Sequence, residues 1–410
     1  MSRISKGLPY LATIGHRGFT AGTNLVLTIV AGRALEVADF GALALMMAVI
    51  GLLMIFHSTL FSEPMLVYGP RDYQASLQRY LGFLGSTQFG AGLLISVAIG
   101  VGGLILGKEG YLAFAIVVPL ALSLDFQDRS FFMQLNPVVP FASSVIQFAT
   151  LTVLLFLGSG TQTIGGFLGI YATSFLAANL FQLVAHLRTW PQFGTAELAR
   201  DEVVRRHVRF AAWSMASHLL LFLVTNFYIF VLPVLQDIET TAVFRAQSAI
   251  IGPGAQAFSA LGLIAVPMLR VSTDRDAFVG KLMRFLAVIT ALGVPIILVL
   301  GMFGRPLIGL IYADKYALSP LGYWLVGLYP LAIGYAFMIG SALRALDRAD
   351  LIARAAGVAV VLTLPLGLYL TSRFGVEGVI IAQVLGCLTV TGHGVYTTRL
   401  LLHSHFEKAT

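Results

Sequence analysis

The stretch AAGVAVVLTLPLGLYLTSRFGVEGVIIAQVLGCLTVTGHGVYTTRLLL, residues 355–402, decides the fold. Its charged residues are Arg373 and Glu377, beside one short joint, and Arg399 near its end. About 20 apolar residues cross a bilayer core as a helix. The stretch therefore reads as two membrane spans, 355–372 and 376–402, with a short joint between them. Apolar residues run continuously, without the alternation over about ten residues that marks a membrane strand, so strands are excluded.

Outward from this pair, ten more apolar runs fall at about 14–34, 40–61, 81–106, 111–126, 138–158, 163–187, 209–235, 242–268, 285–304 and 320–343. The composition agrees. Hydrophobic residues make up 58% of the 410 residues and charged ones 11%, against about 45–50% and 25% in soluble domains. No soluble core hides that much apolar surface. The single cysteine, Cys387, excludes a disulfide framework and a cysteine-based metal site. A net charge of +7 does not imply nucleic acid, because Lys and Arg sit between the apolar runs rather than in one block. The N-terminal apolar stretch has no short signal-type core and no small-residue cleavage site, and reads as a retained first span.

Twelve spans place both termini on one side. Of the 26 Lys and Arg, twenty fall on that side and six on the other, so both termini are expected in the cytoplasm. The arginine-rich break at 188–208 divides the chain into an N-terminal six-helix bundle, 1–187, a cytoplasmic linker, 188–208, and a C-terminal six-helix bundle, 209–410. The halves look related. Thr23-Asn24 matches Thr225-Asn226, Gly51 matches Gly252, Pro64-Met65 matches Pro267-Met268, and Phe83-Leu84 matches Phe285-Leu286, at offsets of 201–203. With six spans each, such halves are parallel repeats, an arrangement of transporters. The expected fold is an all-α polytopic membrane protein of twelve helices in two six-helix bundles.

Three segments carry a resemblance. AGRALEVADFGALALMMAVIGLL (31–53) resembles the first helical hairpin of the polysaccharide and O-antigen flippases. FGRPLIGLIYADKYA (303–317) is similar to a periplasmic turn of that family. ALRALDRADLIARAAGVAVVLTLPLGLYLTSRFGVEGVIIAQVLG (342–386) resembles its helices 10 to 12, with an RFG-x-x-G turn at Arg373, Phe374, Gly375 and Gly378. The family belongs to the multidrug/oligosaccharidyl-lipid/polysaccharide exporter (MOP) superfamily, which also holds the multidrug and toxin extrusion (MATE) transporters. The resemblance implies a MATE-like transporter fold working by alternating access. It implies a cargo of undecaprenyl-pyrophosphate-linked oligosaccharide, moved from the cytoplasmic to the periplasmic leaflet of a bacterial inner membrane for surface polysaccharide synthesis. Such a cargo needs cations for its phosphates and hydrogen-bonding groups for its sugars.

Ionisable residues within spans are costly and point to function unless they snorkel or pair. Arg245 reads either as a phosphate-binding cation or as a side chain reaching the headgroups. Arg33 has the same two readings, with Glu36 or Asp39 as pairing partners. Arg17, equivalent to His218 across the repeat, stands at the cytoplasmic mouth or serves the positive-inside pattern. His218 and His57 are proton-switch candidates, or neutral histidines bonded across a helix interface. Asn24 and Asn226, symmetry equivalents, either contact sugars and phosphate or bond between helices. Glu63-Pro64 closes span 2 as a helix stop or a gating kink, with Pro267 as its repeat counterpart. Asp125, Asp128 and Arg129 end span 4; Asp125 and Arg129 form an i, i+4 pair, with Asp125 the candidate for ion coupling. His186 and His393, in outer helices, read as structural. The arginines of 200–209 suit anionic lipid headgroups.

No nucleotide-binding loop, metal-ligand spacing or hydrolytic motif appears, so no enzyme activity, cofactor or metal is expected. Protons and sodium are the candidate coupling ions. The expected partners are the lipid-linked oligosaccharide, bilayer lipids and other polysaccharide-assembly membrane proteins. Two alternatives compete: a cation-coupled MATE-type drug extruder, and a membrane-embedded polymerase, ligase or glycosyltransferase. The second usually needs a large periplasmic loop, and the turns here are short.

Overall fold

A computed structural model describes the backbone of residues 3–406 apart from 109, 159 and 190–192. Among these residues every regular element is a helix. They are α1 (Arg3–Ala34), α2 (Val37–Asp72), α3 (Leu77–Leu106), α4 (Tyr111–Met133), α5 (Val138–Leu157) and α6 (Ile164–Thr189). The second half adds α7 (Arg200–Thr225), α8 (Tyr228–Leu235), α9 (Ile238–Arg270), α10 (Arg275–Tyr312), α11 (Pro320–Ala345) and α12 (Asp350–Phe406). Ten helices among the described residues are long and apolar enough to cross a membrane. The last of these holds two spans, because Gly375 (φ 54°, ψ −126°) breaks α12 where the sequence joint falls. The run expected as the first span lies in α1, which is not among these ten and carries His16 and Arg17 midway along it.

The chain forms two compact units, Met1–Met215 and Ala216–Thr410. In the first, α4 packs against α3 and α6, and α5 packs against α1 and α6. In the second, α11 is the hub, packed by α9, α10 and α12. The outward surface remains apolar, with Leu94, Ile105 and Phe156 at least 73% exposed. A helix apolar on every side fits a lipid surround rather than a water-facing stripe.

Three elements depart from the sequence reading. Glu63-Pro64 does not end span 2. The helix continues to Asp72, and the proline sits in its first turn after a π-helical segment, Ser58–Ser62. Proline has no N–H, so the helix passes through it at the loss of one backbone donor. Span 7 is two helices, broken at Asn226 and Phe227. The 303–317 stretch is helical through Tyr312, Arg305 and Pro306 included. Its turn begins with Ala313 and Asp314, both at positive φ.

The expected linker contains structure as well. Residues 194–196 lie against the chain before α3: Gln78 N–H donates to Gly194 O (3.0 Å) and Ala196 N–H to Ala75 O (2.9 Å). From Arg200 onward the segment is the first part of α7.

Candidate functional site

The polar end of α4 gathers ionisable side chains from three helices, α1, α2 and α4 itself, with a neutral amide from α6. Asp125 and Arg129 form the i, i+4 pair at 3.4 Å. Asp125 also accepts a hydrogen bond from Ser62 Oγ (2.9 Å), and its Oδ2 lies 3.4 Å from His57 Nδ1. One turn on, Asp128 accepts from Gln182 Nε2 of α6 (2.5 Å) and lies 3.7 Å from His16 Nε2 of α1. Arg17 interacts electrostatically with Asp125, Asp128 and Arg129. The two histidine side chains are 3% and 10% exposed and the two carboxylates 19% and 13%, whereas Arg129 is 30% exposed and Arg17 lies exposed at the edge of the cluster. Two arginines face two carboxylates, with two histidines beside them.

The π-helical segment makes half of this arrangement. In an α-helix, residues five apart stand roughly 140° apart around the axis. A π turn closes i to i+5 instead, as the Glu63 N–H does on Ser58 O. His57 and Ser62 thereby address the same carboxylate of α4. Glu63, the next residue, accepts a hydrogen bond from Ser214 of α7.

A neutral polar seam extends the cluster along α4 and α6. Gln127 Nε2 donates to Asn179 Oδ1 (2.7 Å), and Asn179 Nδ2 donates to Leu120 O (2.9 Å). Ser130 Oγ meets His186 Nε2 at 2.7 Å, and the His186 ring lies 4.3 Å from that of Phe131.

The structure thus brings Arg17, His57 and Asp125 together, and adds His16, Asp128 and Gln182. The sequence signal for His16 is its position beside Arg17 inside an apolar span. Nothing local marks Gln182. Asn24 stands elsewhere on α1, its Oδ1 accepting from Tyr171 Oη of α6 (2.9 Å). Arg33 is exposed at the end of α1. Pro64 is buried beside the cluster.

In the second unit, His218 is exposed on α7 and Pro267 is exposed near the end of α9. Arg245 is half-buried on α9 and interacts electrostatically with Tyr312 of α10. Asn226 is exposed at the helix break, its Nδ2 donating to Thr225 Oγ1 (2.8 Å). The Asn226 and Phe227 N–H groups share Phe222 O (2.8 and 3.1 Å). The Thr225 carbonyl accepts from Gln383 Nε2 of α12. Broken helices of this kind sit at substrate and ion sites in several transporter folds. Among the described residues no group of His, Cys, Asp and Glu is arranged to hold a metal.

The architecture matches solved transporters over nearly its whole length. The Vibrio cholerae MATE transporter VcmN, solved as a single-residue mutant, aligns with a TM-score of 0.67 at 15% identity, covering 97% of this chain and 96% of that one. An inward-facing multidrug resistance MATE transporter of the MOP superfamily aligns with a TM-score of 0.71 at 13% identity, covering 95% and 96%. A MOP superfamily transporter from Pyrococcus furiosus, described as having a binding pocket of reversed polarity, aligns at 0.65 and 12%, covering 97% and 96%. No curated protein matches the chain in sequence. The fold of this chain is that of these multi-pass membrane transporters. In sequence, residues 167–319 match the family described as polysaccharide biosynthesis protein.

Proposed function

We propose that the protein moves an undecaprenyl-pyrophosphate-linked oligosaccharide from the cytoplasmic to the periplasmic leaflet of a bacterial inner membrane, supplying surface polysaccharide assembly. The observation that carries this reading is the polysaccharide biosynthesis match across 167–319 on a transporter fold. Both termini face the cytoplasm in this reading, as the Lys and Arg asymmetry requires. Bilayer lipids and other polysaccharide-assembly membrane proteins are its partners. Arg205 and Arg209, exposed one turn apart on α7, suit anionic headgroups at that face.

The decisive experiment is to measure the lipid-linked oligosaccharide pool, with leaflet sidedness, in cells lacking the gene. Accumulation on the cytoplasmic face with loss of surface polysaccharide supports the flippase and names the cargo by mass. Accumulation on the periplasmic face points to a polymerase or ligase step. A second reading, cation-coupled drug efflux, draws on the fold shared with multidrug transporters. An unchanged pool, with drug sensitivity restored to normal by the gene, selects it.

A further inference from the structure

We propose that His16 and Asp128 hold one exchangeable proton between them, and that this pair is the site at which transport is coupled to protons. The first half stands on hydrogen-bond inventory alone; the second rests on the transport reading above.

His16 Nδ1 lies 3.1 Å from the carbonyl oxygen of Pro140, on α5. A carbonyl only accepts, so Nδ1 carries the hydrogen. A neutral imidazole has one hydrogen, and its Nε2 therefore presents a lone pair. That lone pair faces Asp128 Oδ2 at 3.7 Å. The other carboxylate oxygen is taken, accepting from Gln182. Without a further proton, two acceptors face each other with side chains only 10% and 13% exposed, an arrangement that a low-dielectric interior penalises. One proton, carried on Nε2 or on Oδ2, replaces that opposition by an attraction that draws the two groups from 3.7 Å towards hydrogen-bonding distance. When that proton leaves for water, the attraction between α1 and α4 becomes a repulsion.

The surroundings make the pair the movable element. Asp125 is saturated by Ser62, Arg129 and the nearby His57 of α2. Arg17 on α1 and Arg129 on α4 balance the two carboxylates. Gln182 of α6 is neutral, and His186 of α6 is engaged with Ser130. With two arginines against two carboxylates, loss of the shared proton takes the cluster from one excess positive charge to balance. Because the tautomer is set from α5, the proton reports the mutual placement of α1, α4 and α5. A motion that draws Pro140 or Asp128 away from His16 releases it, and their return recaptures it.

The test is infrared pH-difference spectroscopy of the purified full-length protein in liposomes, comparing wild type with His16→Gln, Asp128→Asn and Asp125→Asn. A titrating carboxyl–imidazole signal lost in both His16→Gln and Asp128→Asn, and kept in Asp125→Asn, is the expected result. If His16→Gln leaves the carboxyl signal unmoved, the shared proton is overturned. Should Asp128→Asn fail to reach the membrane, Asp128→Glu keeps a carboxyl at the site and shifts the signal; an unshifted signal overturns the pairing. In cells lacking the gene, His16→Gln and Asp128→Asn at wild-type membrane levels are expected to lose surface polysaccharide. Normal polysaccharide from either variant refutes the coupling role. If the wild-type gene itself restores nothing, the cargo reading fails while the spectroscopic result stands.

Discussion

His207 Nδ1 donates to the carbonyl oxygen of Leu60 across 2.9 Å. The bond repairs a defect four residues away. Pro64 has no N–H, so the carbonyl it would have engaged, that of Leu60, loses its helical donor. The histidine ring from α7 replaces it, and Nε2 on the far side accepts from Tyr80 Oη at 2.8 Å. Replacing His207 by Leu strands both groups, at about 1–3 kcal/mol for each one left buried without a partner. In a Pro64→Ala background the backbone donor returns, and the same substitution is expected to cost measurably less. Thermal unfolding in detergent of the four proteins of this double-mutant cycle checks the coupling. Equal losses in both backgrounds would sink the argument.

A second repair joins Gln383 to Thr225. The break in span 7 leaves the Thr225 carbonyl without its helical donor, and the Gln383 side chain, 3% exposed, supplies one. Gln383→Leu keeps the bulk and removes the donor. We expect a loss of about 1–3 kcal/mol, read as a lower unfolding midpoint, with Gln383→Glu no better because an ionised carboxylate cannot donate.

Close approach at Gly367 offers a steric counterpart. A Cβ there would collide with the hydroxyl oxygen of Tyr228, a fully buried side chain. That hydroxyl donates to Thr363 O at 3.3 Å, which fixes the ring. Gly367→Ala is expected to destabilise the second unit by about 1–3 kcal/mol, the usual cost of overpacking. Gly392→Ala, a helical position where a methyl meets nothing within 4 Å, serves as the control without a clash and is expected to hold or raise the unfolding midpoint.

Asp237 caps α9, its carboxylate accepting from Thr240 Oγ1 (2.7 Å) and Thr240 N–H (2.6 Å). These bonds favour the charged form and hold the carboxyl below its ordinary value of 3.8. A depressed carboxylate contributes stability above the unfolded value and loses it as the pH falls through the folded one. Asp237→Ala is expected to cost about 1 kcal/mol at neutral pH. Asp237→Asn keeps the cap and flattens the acid limb of a stability profile below about pH 4. An unchanged acid limb in Asp237→Asn would assign it to other groups.

The spans, the joint at Gly375 and the family resemblance were legible because each is written in local hydropathy or in glycine's backbone range. The ionisable cluster was legible only in pieces. Arg17, His57 and Asp125 each carry the cost of a charge inside an apolar run, which a linear reading sees. Their meeting depends on helix packing between residues far apart in the chain, which it does not see. Glu63-Pro64 reads as a stop because proline removes a donor; a histidine far along the chain restores the balance, and the helix goes on. The repeat-matched asparagines diverge for a similar reason. Asn24 sits in an unbroken helix and pairs with Tyr171, whereas Asn226 sits at a break that Gln383 makes tolerable.

The turn at Gly375 bears on how the chain enters the membrane during its synthesis. Asp350–Leu402 is a 53-residue apolar helix by length and composition, flanking its joint with little beyond Ser372, Arg373 and Glu377. The insertion machinery meets no hydrophilic loop that would signal the second crossing. The doubling back is decided by one backbone conformation that L side chains rarely adopt. A side chain at this joint would have to be held at a φ of 54°, a strain avoided by the absence of a single methyl group.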